Sequence, residues 1–433
     1  MKFKVLGNII YIDAYFIPEV EKCPICGSTD LYKNGHTVKT IKHCTYYTSL
    51  FIVKCHIQNY KCKECNHIFR EKNTFSNDHE QLSKETIFVI LDKLKYYTAT
   101  FESVARDTHL NRQNIIDVFD RYVDYTPSST LPEILCFDEK HINKGLSDKA
   151  YSFVILNWRN IKIYDMLPSR HKRTIENYFD KFSFETRQNV KYIIIDMWES
   201  YSDVAKRYFK NAKIAIDSFH VMEHINKAMN KIRIKVMQKY NLNTEQLEDN
   251  DPYYYVLKKY HYFFLQLFDD ITDFNKYNKK LRMWLNKYNL RKYMLDIDEE
   301  LRLAYELSEE YREFNRVANE TNCEEQLNDL IEKFFSSKLE PFIEVAKTLS
   351  TWKEYILNSF ITIKDCLDDN GKPRRLSNGP IEGINSIIEK INSNGNGYSN
   401  FDRFRNRCIY VINKEYTILG TPKKSKQCNK TKK

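Results

Sequence analysis

Glycine, proline and long apolar runs are all scarce in this sequence. Its 433 residues include only 10 glycines and 10 prolines, which leaves little room for low-complexity or collagen-like segments. Hydrophobic residues make up 42% of the chain and aromatic residues 14%, enough to bury a core, so we expect a globular protein. At roughly 150 residues per domain, the length predicts two to four domains.

No stretch approaches the run of about 18 apolar residues that a membrane-spanning helix needs. The N-terminal segment is interrupted by Lys4, Asn8 and Asp13, so it lacks the apolar centre of a signal peptide. We therefore expect a cytoplasmic protein with no membrane partner. The formal net charge of +10 permits a polyanionic partner but does not require one.

Cysteines are unevenly distributed. Six of the eleven lie between Cys23 and Cys65, which in a reducing compartment indicates metal binding rather than disulfides. Two Cys-x-x-Cys knuckles, Cys23/Cys26 and Cys62/Cys65, supply the four thiolates of a tetrahedral zinc site, and residues 45–58 suit a short hairpin between them. Incidental thiols are the alternative interpretation. Five neighbours could compete as ligands: His43, Cys44, Cys55, His56 and His67.

Residues 76–125 show helical periodicity. Within them, 101–119 is typical of two short helices joined by a turn at 108–110, a helix-turn-helix pattern. The second helix opens with Arg112, Gln113 and Asn114, which this pattern predicts to reach DNA base edges. An ordinary helical hairpin remains the alternative, and the local charge of 6 basic against 9 acidic residues does not favour DNA binding.

A proline- and hydroxyl-rich linker at 126–132 precedes a different pattern. Three strands, a helix, a strand, a helix and a final strand are predicted before His220, which indicates a mixed α/β sheet. From 221 to about 367 the chain contains no glycine and is helix-compatible throughout. Its aromatic residues, Trp284 and Trp352 among them, are predicted to be core residues rather than base-stacking ones.

Three acidic residues occupy positions where sites form in α/β folds. Asp138 and Asp196 each end an apolar strand, and Glu382 lies in the first turn of a predicted helix. Converging carboxylates repel one another unless a divalent cation neutralises them, and two Mg²⁺ ions held in this way can catalyse phosphodiester chemistry. For each residue taken singly, a solvated carboxylate at a strand end is the alternative.

Several motifs recur in a recognisable order along the chain. They are Cys23-x-x-Cys26, Cys62-x-x-Cys65, the two-helix segment 101–119, Phe137-Asp138-Glu139 with Lys144-Gly145, Asp196-Met197-Trp198 with Tyr201, Asp217-x-x-His220-Val221, and Ser377-Asn378-Gly379-x-x-Glu382-Gly383-x-Asn385 followed by 397–401. Together they resemble the bacterial insertion-sequence transposases of the ISL-three family, over nearly the whole chain.

The resemblance implies an α/β fold, in which a ribonuclease-H-like catalytic core of the DDE type is interrupted by a large all-helical insertion and preceded by a zinc ribbon and a helix-turn-helix. The implied segments are 1–75 (zinc ribbon), 76–125 (helix-turn-helix), 132–220 (first part of the catalytic domain), 221–370 (insertion), 371–412 (second part, with the Glu-bearing helix) and 413–433 (basic tail).

The resemblance also implies the chemistry. Asp138, Asp196 and Glu382 would bind two Mg²⁺ or Mn²⁺ ions, with Asp217 and His220 in support and Asp217 the rival to Asp196 as second ligand. Zn²⁺ would occupy the four-cysteine site. The partners would be double-stranded DNA, as terminal inverted repeats and as target, and a second copy of the chain on that DNA. The protein would be bacterial and cytoplasmic, and associated with the nucleoid when bound to DNA.

Three functions follow from these observations. The first is a transposase that binds the ends of an insertion sequence and performs metal-dependent strand cleavage and transfer. The second is a catalytically inactive, transposase-derived DNA-binding regulator. The third is a nuclease with the same core but no strand transfer, since hydrolysis and transfer differ only in the nucleophile that is admitted.

Overall fold

The computed structural model describes residues 2–17, 19–44, 49–142, 150–265, 274–368, 370–414 and 423. The chain divides into two compact units: the first comprises 1–127, 140–152 and 384–433, and the second comprises 128–139 and 153–383. Within the described ranges, no helix is both long enough and apolar enough to span a membrane. The Lys144-Gly145 motif and nearly all of the basic tail predicted at 413–433 lie outside the described residues.

The fold is mixed α/β. In chain order the strands are β1 (Lys2–Leu6), β2 (Ile9–Tyr15), β3 (Leu31–Cys44), β4 (Leu50–Cys62), β5 (Ile68–Arg70), β6 (Ile134–His141), β7 (Tyr151–Asn157), β8 (Lys162–Leu167), β9 (Tyr192–Ile195), β10 (Lys213–Ile216), β11 (Lys276–Asn278), β12 (Met283–Leu285), β13 (Thr362–Leu367) and β14 (Pro373–Arg375). The α-helices are α1 (Lys84–Lys93), α2 (Phe101–Thr108), α3 (Arg112–Tyr122), α4 (Lys172–Phe179), α5 (Phe184–Gln188), α6 (Glu199–Tyr208), α7 (Ser218–Gln238), α8 (Pro252–Lys259), α9 (Lys287–Leu295), α10 (Glu299–Val317), α11 (Cys323–Ser336), α12 (Glu340–Thr351), α13 (Lys353–Asn358), α14 (Gly379–Asn394) and α15 (Phe401–Asn413).

The sheet of the first unit has the order β1-β2-β4-β3, with β5 paired to β4. Strands β3 and β4 form a long antiparallel hairpin in which Cys44 pairs with Leu50 and Leu31 with Cys62. The hairpin is therefore much longer than the one expected at 45–58, and Thr45–Thr48 lie outside the described residues. The longer pairing lets alternate apolar side chains of both strands, including Ile41 and Val53, share one buried face.

Helices α1, α2 and α3 share a second core in the first unit with Tyr410 of α15. The guanidinium of Arg407, also on α15, is buried and donates hydrogen bonds to the carbonyl oxygens of Leu94, Tyr96 and Ala99. These carbonyls belong to the end of α1 and the segment before α2, where helical hydrogen bonds are missing. The C-terminal helix therefore completes the core of the N-terminal helices.

The central sheet of the second unit has the order β10-β9-β6-β7-β8. Strands β6, β9 and β10 run parallel, with Cys136 opposite Ile194 and Ile195 opposite Ile216. Continuing this register by one or two residues places Asp138, Asp196 and Asp217 at one edge of the sheet. Every strand and helix predicted over 132–220 is present in the predicted order, with bounds that differ by a few residues, but one further helix, α5, lies between α4 and β9.

The insertion is not all-helical, so that prediction is wrong. Residues 276–285 form the antiparallel hairpin β11–β12, and β13 pairs with β14. The Asn278 side chain accepts hydrogen bonds from the backbone N–H groups of Lys280 and Leu281, which closes a turn in place of a helical turn. Trp352 is buried as predicted, at 9% exposure, but Trp284 on the hairpin is 69% exposed, against the prediction.

Candidate active site and a four-cysteine cluster

The carboxylates of Asp138, Glu139 and Asp196 meet at the edge of the central sheet. One oxygen from each lies within 4.8 Å of the other two, close enough to share a metal ion. Asp138 and Glu139 are consecutive residues of β6, and Asp196 directly follows β9, the strand paired beside it. The parallel pairing thus brings together two acidic segments nearly 60 residues apart.

Asp196 is held by two donors on the same oxygen. Nε2 of His220 lies 2.7 Å from its Oδ1, and Nδ2 of Asn378 lies 3.0 Å from the same atom. The hydrogen bond to Asp196, opposed in part by burial, raises the pKa of His220 to about 9. His220 is therefore an imidazolium at neutral pH and partly balances the charge of the site.

The environment of Asp138 disfavours the ionised form of its carboxylate. Burial and the nearby charge of Asp196 raise the pKa of Asp138 to about 7. The backbone N–H of Glu139 donates to its Oδ1 at 2.7 Å and opposes this shift only in part. A cation between Asp138 and Asp196 would remove the repulsion, because it favours the ionised form of both carboxylates.

Asp217 is buried at 4% exposure beside this group. The backbone N–H of Asn378 donates to its Oδ1 at 3.4 Å, and its Oδ2 is buried without a hydrogen-bond partner within the part of the chain that the structure describes. Burial, with a smaller contribution from the charge of Glu382, raises the pKa of Asp217 to about 6. Asp217 is outside the group of three close carboxylates.

Glu382 occupies the first turn of α14 and is exposed to solvent. Its carboxylate is outside the group of three. The pKa of the buried Cys136 thiol is raised mainly by burial and by the charge of Asp138, and the charge of Glu382 adds a smaller contribution. The backbone N–H of Glu382 donates to the carbonyl oxygen of Asn378 at 3.1 Å. Glu382 is therefore close enough to Cys136 and Asp217 to raise the pKa of both groups.

Sequence reasoning missed the central role of Asn378 in this geometry. Its side chain is buried at 2% exposure, donates to Asp196 and accepts a hydrogen bond from the Cys136 thiol at 2.9 Å. The thiol contact orients the amide so that its NH₂ group faces the carboxylate. The sequence could have indicated this residue, because Asn378 belongs to the Ser-Asn-Gly motif and lies four residues before Glu382.

Glu139 is the second residue that sequence reasoning did not single out. It forms an ion pair with Arg170 and accepts a hydrogen bond from the Tyr201 hydroxyl at 2.6 Å. Burial and the charge of Glu139 raise the pKa of Tyr201, so this hydroxyl stays protonated. The Arg170 guanidinium also lies 4.5 Å from the ring centroid of Trp198. The charge of Glu139 is thus balanced by the Arg170 guanidinium.

Comparison with known families identifies the segment that builds this site. Residues 135–408, well over half of the chain, match the family of ISL-three DDE transposases, whose description is transposase. The chain belongs to this family. No curated protein matches the sequence. Transposases recombine DNA, so the family assigns DNA transposition as the process and DNA as the class of substrate.

The transposase has a second group of residues that could hold a metal ion, in its first unit. The sulfur atoms of Cys23, Cys26, Cys62 and Cys65 lie within 4.8 Å of one another. Sγ of Cys23 lies 3.6 Å from that of Cys65, and Sγ of Cys26 lies 3.5 Å from that of Cys62. With Zn–S bonds of about 2.3 Å, a tetrahedral site has sulfurs roughly 3.8 Å apart. The four cysteines therefore fit a zinc ion.

Both knuckles of this cluster have the same backbone geometry. The residue after each Cys-x-x-Cys pair has a positive φ, +73° at Gly27 and +57° at Asn66, a conformation that glycine and asparagine adopt readily. Although burial opposes the shift, backbone N–H groups of Cys26 and Ile25 donate to the Cys23 sulfur and lower its pKa to about 7. The backbone thus favours the thiolate, the form that binds metal, at Cys23, whereas burial and the neighbouring thiols raise the pKa of Cys65.

The competing ligands named from the sequence are occupied elsewhere. Cys44 and Cys55 are buried in hydrophobic clusters, Nδ1 of His43 contacts the Ser83 hydroxyl, and Nε2 of His56 contacts Asp13. His67 stacks on Phe69. Among the described residues, the metal-binding group of this unit consists of the four cysteines alone.

Arg112, Gln113 and Asn114 occupy the first turn of α3, as the spacing predicted. Arg112 and Gln113 are exposed, and the Gln113 side chain donates to Asp117 at 2.6 Å. Helix α2 ends at Thr108 and α3 begins at Arg112, with His109 in the left-handed conformation between them. The turn and both helices therefore lie where the sequence placed them.

Proposed function

We propose that this transposase binds the terminal inverted repeats of an insertion sequence and cleaves and transfers DNA strands with a DDE active site in a ribonuclease-H-like core. The observation that carries the proposal is the approach of Asp138 and Asp196 to within 4.8 Å, at the same edge of adjacent parallel strands, inside the segment that matches the family. Sites in open α/β sheets form at this edge.

In this proposal Asp138, Asp196 and Glu382 hold two Mg²⁺ or Mn²⁺ ions. Hard divalent cations prefer carboxylate oxygens, and a bound cation would oppose the rise in the pKa of Asp138 that burial and the charge of Asp196 cause. When bound, the ions activate a water molecule or a 3′-hydroxyl and stabilise the leaving oxygen of the phosphodiester.

The remaining residues of the site orient and balance these ligands. His220 and Asn378 hold Oδ1 of Asp196 in place, and Asn378 also connects that carboxylate to the start of the Glu382 helix. Asp217 is proposed as a supporting acid, because it is outside the group of three close carboxylates and its Oδ1 accepts a hydrogen bond from the Asn378 backbone N–H. Such partners of metal ligands commonly change metal affinity or activity by about 10- to 100-fold when removed.

We assign the recognition of DNA ends to the N-terminal residues. The four-cysteine cluster is proposed to bind Zn²⁺ and organise a ribbon over 1–75, and residues 76–125 to act as a helix-turn-helix whose Arg112, Gln113 and Asn114 contact bases. The catalytic domain would comprise 132–220 and 371–412, with the insertion at 221–370 and a basic tail at 413–433. A dimer or larger assembly would hold two DNA ends.

Strand cleavage of an end-sequence duplex tests the catalytic proposal. The duplex is taken from the DNA that flanks the gene, labelled, and incubated with Mg²⁺ or Mn²⁺. We expect Asp138→Ala, Asp196→Ala and Glu382→Ala each to lower cleavage at least ~10³-fold while binding to the duplex is retained, because metal-assisted chemistry supplies most of the rate. Asp217→Ala is expected to keep partial activity.

Asp329→Ala, at an exposed carboxylate on α11, is the control and is expected to cleave like the wild type. A labelled target duplex added to the same reaction distinguishes strand transfer from simple hydrolysis. Wild-type protein that binds the ends but never cleaves them would contradict the catalytic proposal and support a regulator.

A further inference from the structure

The hairpin β11–β12 presents an aromatic pair to solvent. Tyr277 and Trp284 are directly opposite each other in the strand register, and their ring centroids lie 5.6 Å apart. Trp284 is 69% exposed and Tyr277 is 48% exposed, values unusual for such large side chains. Met283, beside them, and Phe274, just before β11, are also exposed. Among the described residues, none of these four side chains belongs to the hydrophobic core of the second unit or packs against it.

The same segment has charge of one sign. Residues 274–294 contain seven basic side chains and no acidic one. Lys276, Lys279, Arg282 and Lys292 are exposed, and within the described ranges none of the four forms an ion pair. The three aspartates in the preceding segment, 266–273, lie outside those ranges.

The hairpin is fixed to the protein by its inner side. Asn278 is buried, its amide donates to the Tyr260 hydroxyl at 3.4 Å, and Leu281 and Leu285 pack against the main core. The ammonium group of Lys280 donates to the carbonyl oxygen of Glu248 at 2.6 Å. The outer face is thus held in one orientation, which lowers the conformational entropy lost when a ligand binds.

We propose that the β11–β12 hairpin is a second DNA-contacting surface, on which Trp284 and Tyr277 stack against unpaired bases while Lys279 and Arg282 contact the phosphates. Exposed aromatic rings flanked by cations are typical of proteins that bind single-stranded DNA, because every base has a stacking face and every nucleotide a phosphate. Lysine is depleted in protein–protein interfaces, and three of the four exposed basic residues of this segment are lysines. The inference requires only that the substrate is DNA, and none of the metal assignments.

Tryptophan fluorescence tests the proposal directly in the full-length protein. Of the four tryptophans, Trp158 and Trp352 are buried and Trp198 is partly covered by Arg170 and Tyr201, so Trp284 is the most accessible to a base. Titration with an oligothymidylate, without added Mg²⁺, is expected to quench the emission. In Trp284→Phe this quenching is expected to disappear while binding persists.

Affinities measured by fluorescence anisotropy complete the test. Trp284→Ala is expected to weaken oligothymidylate binding ~10-fold, as is common when one stacking ring is removed. The double variant Lys279→Gln/Arg282→Gln is expected to reduce the slope of log K against log salt by about 1.4, at roughly 0.7 per phosphate contact on a single strand. Phe184→Ala, at an exposed aromatic residue flanked by charges of both signs, is expected to leave both quantities unchanged.

Two results would overturn the proposal. The first is quenching that is equal in the wild type and in Trp284→Phe, which would place the base elsewhere. The second is a Trp284→Ala variant that binds DNA as tightly as the wild type. If its sedimentation coefficient also differs from that of the wild type, the hairpin is a protein interface. Because no cleavage is measured, failure of the catalytic proposal would leave these outcomes unaffected.

Discussion

The four-cysteine cluster and the carboxylate site are both candidate metal centres, but they are built in opposite ways. Each half of the cysteine cluster is one short knuckle, with its two thiols three residues apart and a left-handed residue directly after them. The carboxylate site instead draws on β6, β9, the end of β10 and the start of α14. One centre is specified locally, and the other by the packing of distant segments.

The two centres also differ in how charge is balanced before metal binds. Backbone N–H groups within the knuckle stabilise the Cys23 thiolate. At the carboxylate site His220 and Asn378 are both directed at Asp196, and the Asp138 carboxylate is left in an environment that favours its protonated form. In the cysteine cluster backbone N–H groups offset part of the repulsion between the thiols, which still raises the pKa of Cys65, whereas at the carboxylate site the repulsion is offset mainly by side chains directed at Asp196.

Removal of one thiolate would give the largest effect. We expect Cys62→Ser to lower the zinc content from one ion per chain to none and to weaken end-DNA binding by at least ~100-fold, because zinc binding supplies about 10–16 kcal/mol to small zinc modules. Metal analysis and an electrophoretic mobility shift measure the two quantities.

Cys55→Ala is the matched control, since Cys55 is a buried cysteine of the same sheet outside the cluster. It is expected to retain its zinc. Zinc retained in Cys62→Ser but lost in Cys55→Ala would mean that the ligands have been assigned to the wrong cysteines.

An intermediate effect is expected at the residue that joins the distant segments. Asn378→Ala removes a donor to Asp196 and the acceptor of the Cys136 thiol, so we expect cleavage to fall by about 10- to 100-fold. Because the ligands themselves remain, higher Mn²⁺ concentrations should recover part of the activity. A titration of rate against Mn²⁺ measures this.

The exposed Asn211 offers a control, as Asn211→Ala should leave the Mn²⁺ dependence unchanged. Asn378→Ala with an equal loss of rate at every Mn²⁺ concentration would argue that the asparagine does not act through the metal ligands.

The smallest effect concerns stability without metal. Asp138 has a higher pKa in the folded protein, about 7, than its ordinary value of 3.8, so the folded state binds more protons between these values. The free energy of unfolding should therefore lose a contribution as the pH rises from about 4 to 7. Asp138→Asn removes this loss. It should therefore raise the free energy of unfolding at pH 7.5 by roughly 1 kcal/mol and the Tm by about 2–4 °C.

Thermal unfolding in the absence of divalent metal, at pH 4.5 and at pH 7.5, measures the difference. The advantage of Asp138→Asn should be larger at the higher pH. A constant difference, or one that shrinks as the pH rises, would show that Asp138 is not destabilised by its surroundings.

Much of the local structure was predictable from the sequence. The strand and helix order over 132–220, the short helices on either side of His109 and the pairing of the two knuckles all follow from patterns only a few residues long. The hairpin at 276–285 was missed because its lysines, leucines and aromatic residues are also compatible with a helix, and a single side chain, Asn278, closes the turn.

Parts of the candidate site were predictable for the same reason. An acid that follows an apolar run can be recognised in one segment, and Asp138 and Asp196 were identified in this way, although β6 continues past Asp138 to His141. The contact of Asn378 with Asp196 spans 182 residues, so it depends on how α14 packs against the sheet. The ion pair of Glu139 with Arg170 likewise depends on the packing of two separate segments.

The sequence by itself determined the ligand types, the knuckles and most of the elements over 132–220, because these depend on residue chemistry and on hydrogen bonds between near neighbours. Only the tertiary structure decided that Asn378 bridges Asp196 and the Glu382 helix, and that Trp284 faces solvent while Trp352 is buried. The physical reason is that burial and long-range contacts are set by the packing of whole elements, which a pattern of a few residues does not contain.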